Sequence, residues 1–185
     1  MKAGLVYFSG GGMTHELMLS AANALQDNGI EVYRYRITGK EIVDGRFVNP
    51  EVFTALKECD GIILGSPTYM GGVAAQLKAF IDASSELWCK QVWSGKAAAG
   101  ITCGSAQNGD QSGTLQYLIT FASQHGMYWV SLDSAHGYKD SGVNRLGCQL
   151  GVVAQATSGN VEKADLATAA YLGKRVAELI KKLAQ

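Results

Sequence analysis

The chain has 185 residues, 47% apolar and 17% charged, and its 16 basic and 16 acidic residues balance to zero net charge. That length suits a single domain, residues 1–185, with enough apolar material for a full core. The neutral balance excludes the basic excess of a nucleic-acid binder and the acidic tail of a partner-docking protein.

The longest apolar runs, residues 61–64, 97–100 and 151–154, fall far short of the roughly 20 residues a membrane helix needs. The N-terminus enters a strand-like run directly, without the apolar segment and cleavage site of a signal peptide, so the expected setting is soluble and cytoplasmic. Cysteines at 59, 89, 103 and 148 form no C-x-x-C pair, and with histidines at 15, 125 and 136 they show no metal-ligand spacing. No metal is expected.

Taken in chain order, residues 2–9 read as a buried strand. Residues 14–28 follow as a helix, apolar at 17, 18, 21, 22 and 25 and closed by Gly29. Residues 30–37 alternate as a half-exposed strand. Asn49-Pro50 marks the start of a short helix over 50–59, with Asn49 as its cap. Residues 61–66 form a third strand, 73–87 a helix, 96–103 a fourth strand, 112–124 a helix and 127–132 a fifth strand. Residues 164–184 close the chain as a long helix. The alternation predicts an α/β fold, a parallel sheet covered by helices on both faces. Residues 133–162 are rich in Gly, Ser and Asn; so long a segment is either functional or hides an element.

Glycine is the informative residue: 23 of 185, against 2 prolines, and clustered at 10–12, 71–72 and 104–113, each time after a strand-like run. In an open parallel sheet, ligands bind beyond the carboxyl ends of the strands. Ser9-Gly10-Gly11-Gly12-Met13-Thr14 runs from strand to helix, where accessible backbone N–H groups and the helix dipole suit a phosphate. Neither G-x-x-x-x-G-K-[ST] nor G-x-G-x-x-G is present. In the second loop Pro67 directs the chain, Gly71-Gly72 admits close approach of a flat ligand, and Tyr69 can pack on a ring. The third loop spans Thr102 to Gly109.

The segments Y-F-S-G-G-G-M-T, G-S-P-T-Y-M-G-G-V-A-A-Q-L-K-A-F-I-D, L-W and H-G-M, in register from about Lys2 to Lys182, resemble the flavodoxin-like FMN proteins, above all the WrbA-type NAD(P)H:quinone oxidoreductases. The resemblance implies a flavodoxin-like three-layer sandwich with a five-stranded parallel sheet of order 2-1-3-4-5, the flavodoxin order. It implies FMN as cofactor, with its phosphate on Ser9, Gly12, Met13 and Thr14. Pro67, Thr68, Tyr69, Met70 and Gly71 would line the isoalloxazine, and Thr102, Cys103, Gly104, Ser105, Gln107 and Gly109 would meet its other edge. His125 matches a histidine by the flavin ring and substrate pocket, where it would orient the acceptor. Trp88 matches a tryptophan that closes a neighbouring subunit's pocket, implying a homodimer or homotetramer. The sequence departs from the family at Gly10-Gly11, at Cys103 with Ala106-Gln107-Asn108, and around Arg145-Leu146-Gly147.

The resemblance implies hydride transfer from NADH or NADPH to a quinone or similar flat acceptor in alternating half-reactions. The alternatives are a flavodoxin-type electron carrier and a flavin reductase that releases reduced FMN. A carrier would favour an acidic face and two aromatics around the ring, and the third loop has no aromatic. A receiver domain lacks its acidic residues here, and a Ser hydrolase its G-x-S-x-G elbow. His125 before Gly126 reads equally as a helix C-cap, His15 as a solvated bystander, and Cys103 as a small packing residue without a cation to activate it. Trp88 and Trp93 could each be core, and His136 has no reading.

Overall fold

Alternating strand residues sort onto two faces, and the helices follow them. The structure, a computed structural model, describes residues 1–134, 141–156 and 160–185; His136 lies outside them. Its elements are β1 (Lys2–Tyr7), α1 (Met13–Asp27), β2 (Glu31–Arg36), a 3-10 turn (Gly39–Glu41), β3 (Ile42–Val43), β4 (Arg46–Phe47) and α2 (Glu51–Lys57). There follow β5 (Gly61–Tyr69), β6 (Gly72–Val73), α3 (Ala75–Ala83), α4 (Ser85–Cys89), β7 (Ala97–Gly104), α5 (Asp110–Gln124), β8 (Tyr128–Trp129), β9 (Val152–Gln155) and α6 (Lys163–Leu183).

The sheet runs β2-β1-β5-β7-β8, all parallel. Counted as main strands this is the expected order 2-1-3-4-5. On β1 and β7, residues Ala3, Leu5, Tyr7, Ala97, Ala99 and Ile101 pack under α1 and α6. Val6, Ile62, Leu64 and Ala98 face the other way, onto α2, α3 and α5. Both faces are therefore covered, as a parallel sheet requires. The second core holds a run of rings in which Phe80 packs on Phe53 at 5.0 Å between centroids and on Phe47 at 5.5 Å, and Trp93 lies 4.6 Å from His125. Trp93 is fully buried, whereas Trp88 is half-exposed.

Three expectations need correction. The fifth strand over 127–132 shortens to Tyr128–Trp129, which pairs with Ala97 and Ala98; the carboxyl half of β7 pairs instead with β9, Ile101 against Val152 through Gly104 against Gln155. The fifth position is thus shared by two strands, and the glycine-rich segment carries the second of them. The helix over 73–87 is interrupted at Ser84, whose Oγ donates to the Ile81 carbonyl at 2.6 Å and whose own carbonyl accepts from Leu87 and Trp88 to start α4. Asn49 does not cap α2: Pro50 holds the cap position, and Asn49 Nδ2 donates instead to Tyr35 and Glu41. Gly29 does close α1, with φ 76° and its N–H on the Gln26 carbonyl.

The segment leading into β9 is pinned through a salt bridge. Arg145 Nε and Nη2 each donate to the Asp165 carboxylate at 2.8 Å, and Asp165, almost fully buried at the start of α6, also accepts from the Gln155 N–H. This fork of two parallel hydrogen bonds holds β9 beside the carboxyl end of β7. Among the described residues no helix is long and apolar enough to cross a membrane.

Candidate functional site

The carboxyl ends of β1, β5 and β7 open onto two abutting clefts. The first, of about 380 Å³, is lined by Ser9, Gly10, Gly11, Met13, Thr14, Pro67, Thr68, Tyr69, Cys103, Gly104, Ser105 and Ala156. The second, of about 390 Å³, shares Thr68, Gly104 and Ser105 with it and continues along Met70, Gly71, Ala106, Asp110 and Gln111. Together they form a trough whose near end meets the start of α1 and whose far end meets the start of α5.

At the near end, α1 begins on Gly12, which bends the chain at φ 92° and has no side chain to cap the helix. Ser9 Oγ takes the His15 N–H at 3.2 Å, while Met13 and Thr14, which open the helix, line the cleft. The positive end of the helix dipole and the open glycine backbone of the loop suit an anion here. Arg36, at the end of β2, donates through Nη2 to the Ser9 carbonyl at 2.7 Å and adds a cation beside the loop. His15 is no bystander: its Nδ1 lies 2.6 Å from the Tyr7 hydroxyl, tying the first turn of α1 back to β1.

The middle of the trough is stiffened from below. Thr68 Oγ1 lies 2.8 Å from Thr102 Oγ1 and 2.9 Å from Thr114 Oγ1, joining the second loop to β7 and α5. Ser66 Oγ donates to the Pro67 carbonyl and accepts from the Ala74 N–H, bracing the same loop. Cys103 Sγ packs 3.3 Å from Thr14 Oγ1, and burial pushes its thiol up from the usual range, so it stays protonated as a packing group.

Beyond Tyr69 the chain reverses through Met70 and Gly71, with φ 48° and 79°, into β6. Positive φ at both central residues is the type I′ hairpin turn. It leaves Tyr69 half-exposed and Met70 fully exposed at the mouth of the trough.

Of the residues expected at the site, Ser9, Met13, Thr14, Pro67, Thr68, Tyr69, Cys103, Gly104 and Ser105 line the first cleft, and Met70 and Gly71 the second. Gly12, Thr102, Gln107 and Gly109 line neither; Gly12 and Gly109 bend the chain with positive φ and Thr102 acts through Thr68. Gly10, Gly11 and Ala106, in loops the sequence marked, and Asp110, Gln111 and Ala156, outside them, also join the trough. Gly10 and Gly11 lie inside the recognised loop; Ala156 follows the concealed strand β9.

His125 and Trp88 stand apart. They line a third groove of about 390 Å³, with Ser84, Tyr117 and Phe121, that shares no residue with the trough. Ser84 Oγ spends its proton on the Ile81 carbonyl, so His125 Nε2 must be the donor in their 3.0 Å hydrogen bond. Nδ1 is then a bare acceptor, buried without a partner, and burial lowers the imidazole pKa to about 4. His125 is also the C-cap of α5. Among the described residues no cluster of three or more metal-ligating side chains is present.

A long ligand with an anionic end and a flat end fits the trough's donor set, the description of FMN. Comparison with known proteins agrees. Residues 5–137 match the model of the family described as NADPH-dependent FMN reductase. Flavodoxin FldP of Pseudomonas aeruginosa is 34% identical, the match covering 96% of each chain. An NAD(P)H dehydrogenase (quinone) of Archaeoglobus fulgidus is 30% identical over 97% of each. Among solved structures, the flavodoxin, WrbA-like protein from Agrobacterium tumefaciens superposes with a TM-score of 0.79 at 33% identity, covering 98% of each chain.

Proposed function

The chain belongs to the NADPH-dependent FMN reductase family and has the flavodoxin-like fold, and on that premise we propose that it carries electrons from NADH or NADPH to a quinone or similar flat acceptor. The observation that carries this reading is the continuous trough, with an anion cradle at one end and a wide, open far end. FMN, when bound, would supply the redox chemistry, as a group able to accept hydride and to give up two electrons.

The chain's residues bind and shape. Ser9, Met13 and Thr14, around the Gly12 bend, hold the phosphate, with Arg36 adding charge. Pro67, Thr68 and Tyr69 form one wall, and Cys103, Gly104 and Ser105 the other, while Met70 and Gly71 border the far end. Thr102 braces the wall through Thr68 and Gly109 bends the chain into α5, while Gln107 lines neither cleft. Since the third loop has no aromatic side chain to cover the ring, one face would stay open to a second flat molecule. No side chain is needed as a covalent catalyst.

Trp88 enters this reading only through an assembly: in a homodimer or homotetramer the half-exposed Trp88 closes the neighbouring copy's trough. The expected orienting role of His125 does not fit its burial, with Nε2 committed to Ser84 and Nδ1 closed off from the groove. A cytoplasmic setting belongs to the same proposal.

A second reading, an electron carrier docking to proteins, is favoured by the full-length similarity to Flavodoxin FldP. The zero net charge provides no general electrostatic steering for it. The deciding experiment adds FMN to the purified protein, then NADH or NADPH without oxygen, and follows flavin absorbance. Rapid bleaching that a quinone reverses is the expected result. Bound flavin that stays oxidised with both donors overturns the enzyme reading in favour of the carrier, and reduced flavin that leaves the protein favours a flavin reductase.

A further inference from the structure

Gln111, in the first turn of α5, is almost fully buried and borders the far cleft. Its Nε2 donates to the Ala106 carbonyl at 2.6 Å. Only the amide nitrogen can donate to a carbonyl, so the orientation of the group is fixed and Oε1 is the atom left over. Oε1 is buried and has no hydrogen-bond partner. A buried acceptor without a donor is costly, so a specific one at a binding site calls for an explanation. The amide lies directly over Gly104: a Cβ there would stand 2.7 Å from Nε2 and 3.1 Å from Cδ. The absence of a side chain at 104 therefore lets the Gln111 amide reach the edge of the trough.

We propose that Gln111 is the residue that recognises the pyrimidine edge of the flavin, its Oε1 accepting the ring's N3–H. The proposal rests on the trough being an FMN site. The ligand's other donors, the ribityl hydroxyls, lie between phosphate and ring and so fall nearer the α1 end. The oxidised isoalloxazine has a single N–H, at N3, and Oε1 is a buried acceptor at the ring end. Gln111 thus serves twice. Its Nε2 fixes the third loop through Ala106, and the same contact fixes which way Oε1 faces.

The test titrates the cofactor-free protein with FMN labelled with nitrogen-15, reading affinity by flavin fluorescence and the N3–H signal by NMR. In the unsubstituted protein the N3 proton is expected as a slowly exchanging, downfield signal. Gln111→Met, similar in volume and without an acceptor, is expected to weaken FMN about tenfold and to lose that slow exchange. Gln111→Glu keeps an acceptor but gives up the donor to Ala106, and is expected to retain the N3–H signal; it carries the test alone if Gln111→Met does not fold. An N3–H signal that is unchanged in Gln111→Met overturns the proposal and leaves Gln111 as loop support, however much affinity falls. Loss of the signal in Gln111→Glu also overturns it. Absence of FMN binding by the unsubstituted protein overturns the cofactor site itself, a distinguishable failure.

Discussion

Met70 occupies the left-handed region at φ 48° although it is neither Gly nor Asn, and its side chain is fully exposed. An ordinary L-residue there costs about 1 kcal/mol or more, which the turn retains at the mouth of the trough. Met70→Asn, suited to that conformation, should raise stability by about 0.5–1 kcal/mol in urea denaturation. If Met70 forms the rim over the ring, the same variant should also loosen FMN; a change in stability without one in affinity would confine Met70 to the turn. Residues of this kind differ in how far the sequence reveals them. Ser9, Thr14 and Gly71 were legible because hydroxyls and glycines after an apolar strand follow from what a phosphate and a tight turn need. Gln111 was not, because its significance is an unmatched acceptor. An orphaned lone pair exists only once Ala106 has claimed the other end of the amide.

Elements were legible where a single period ran unbroken. β1, β5, β7, α1 and α6 fall within a few residues of their expected bounds because each carries one face of apolar residues into one core. The interruption at Ser84 left the helical period intact, so only the serine's hydrogen bond to Ile81 marks it. The small β3–β4 hairpin and β9 are two to four residues long, too short for a period, and their positions come from tertiary pairing. The packing of α6 on α1 has a signature that looks like a defect: Gly173 in mid-helix. A Cβ at 173 would stand 2.5 Å from the backbone carbonyl oxygen of Ala21, so the glycine lets the two helices meet backbone to backbone. Gly173→Ala would normally gain about 1 kcal/mol of helix propensity. Here it should instead destabilise by about 1–3 kcal/mol, since backbone must move; a melting temperature equal to or above that of the parent would disprove the close approach.

For the molecule as a whole, the sheet fixes the three loops at one edge, while the aromatic core beneath the other helical layer holds a group that contributes to acid sensitivity, His125. His125 sits in that core between Trp93 and Phe121, at 4.6 and 4.8 Å. Burial lowers its pKa from the ordinary 6.5 to about 4. The unfolded chain therefore binds a proton that the folded chain refuses throughout that interval. The stability is complete above pH 6.5 and is lost as pH falls from there toward 4. Between pH 7 and 5 this one group should remove about 2 kcal/mol. Urea denaturation at both pH values, on the parent protein and on His125→Phe, isolates it, because the carboxylates contribute alike to both. The parent should lose about 2 kcal/mol more than the variant over that range, and parallel losses would mean that His125 is hydrated in the folded state. Protonation would put a charge on Nδ1, which has no acceptor beside it, against the hydrogen bond that already commits Nε2 to Ser84. Any assembly that covers the groove beside Trp88 deepens that burial. A slope steeper at high protein concentration than at low would then locate the subunit contact at this groove.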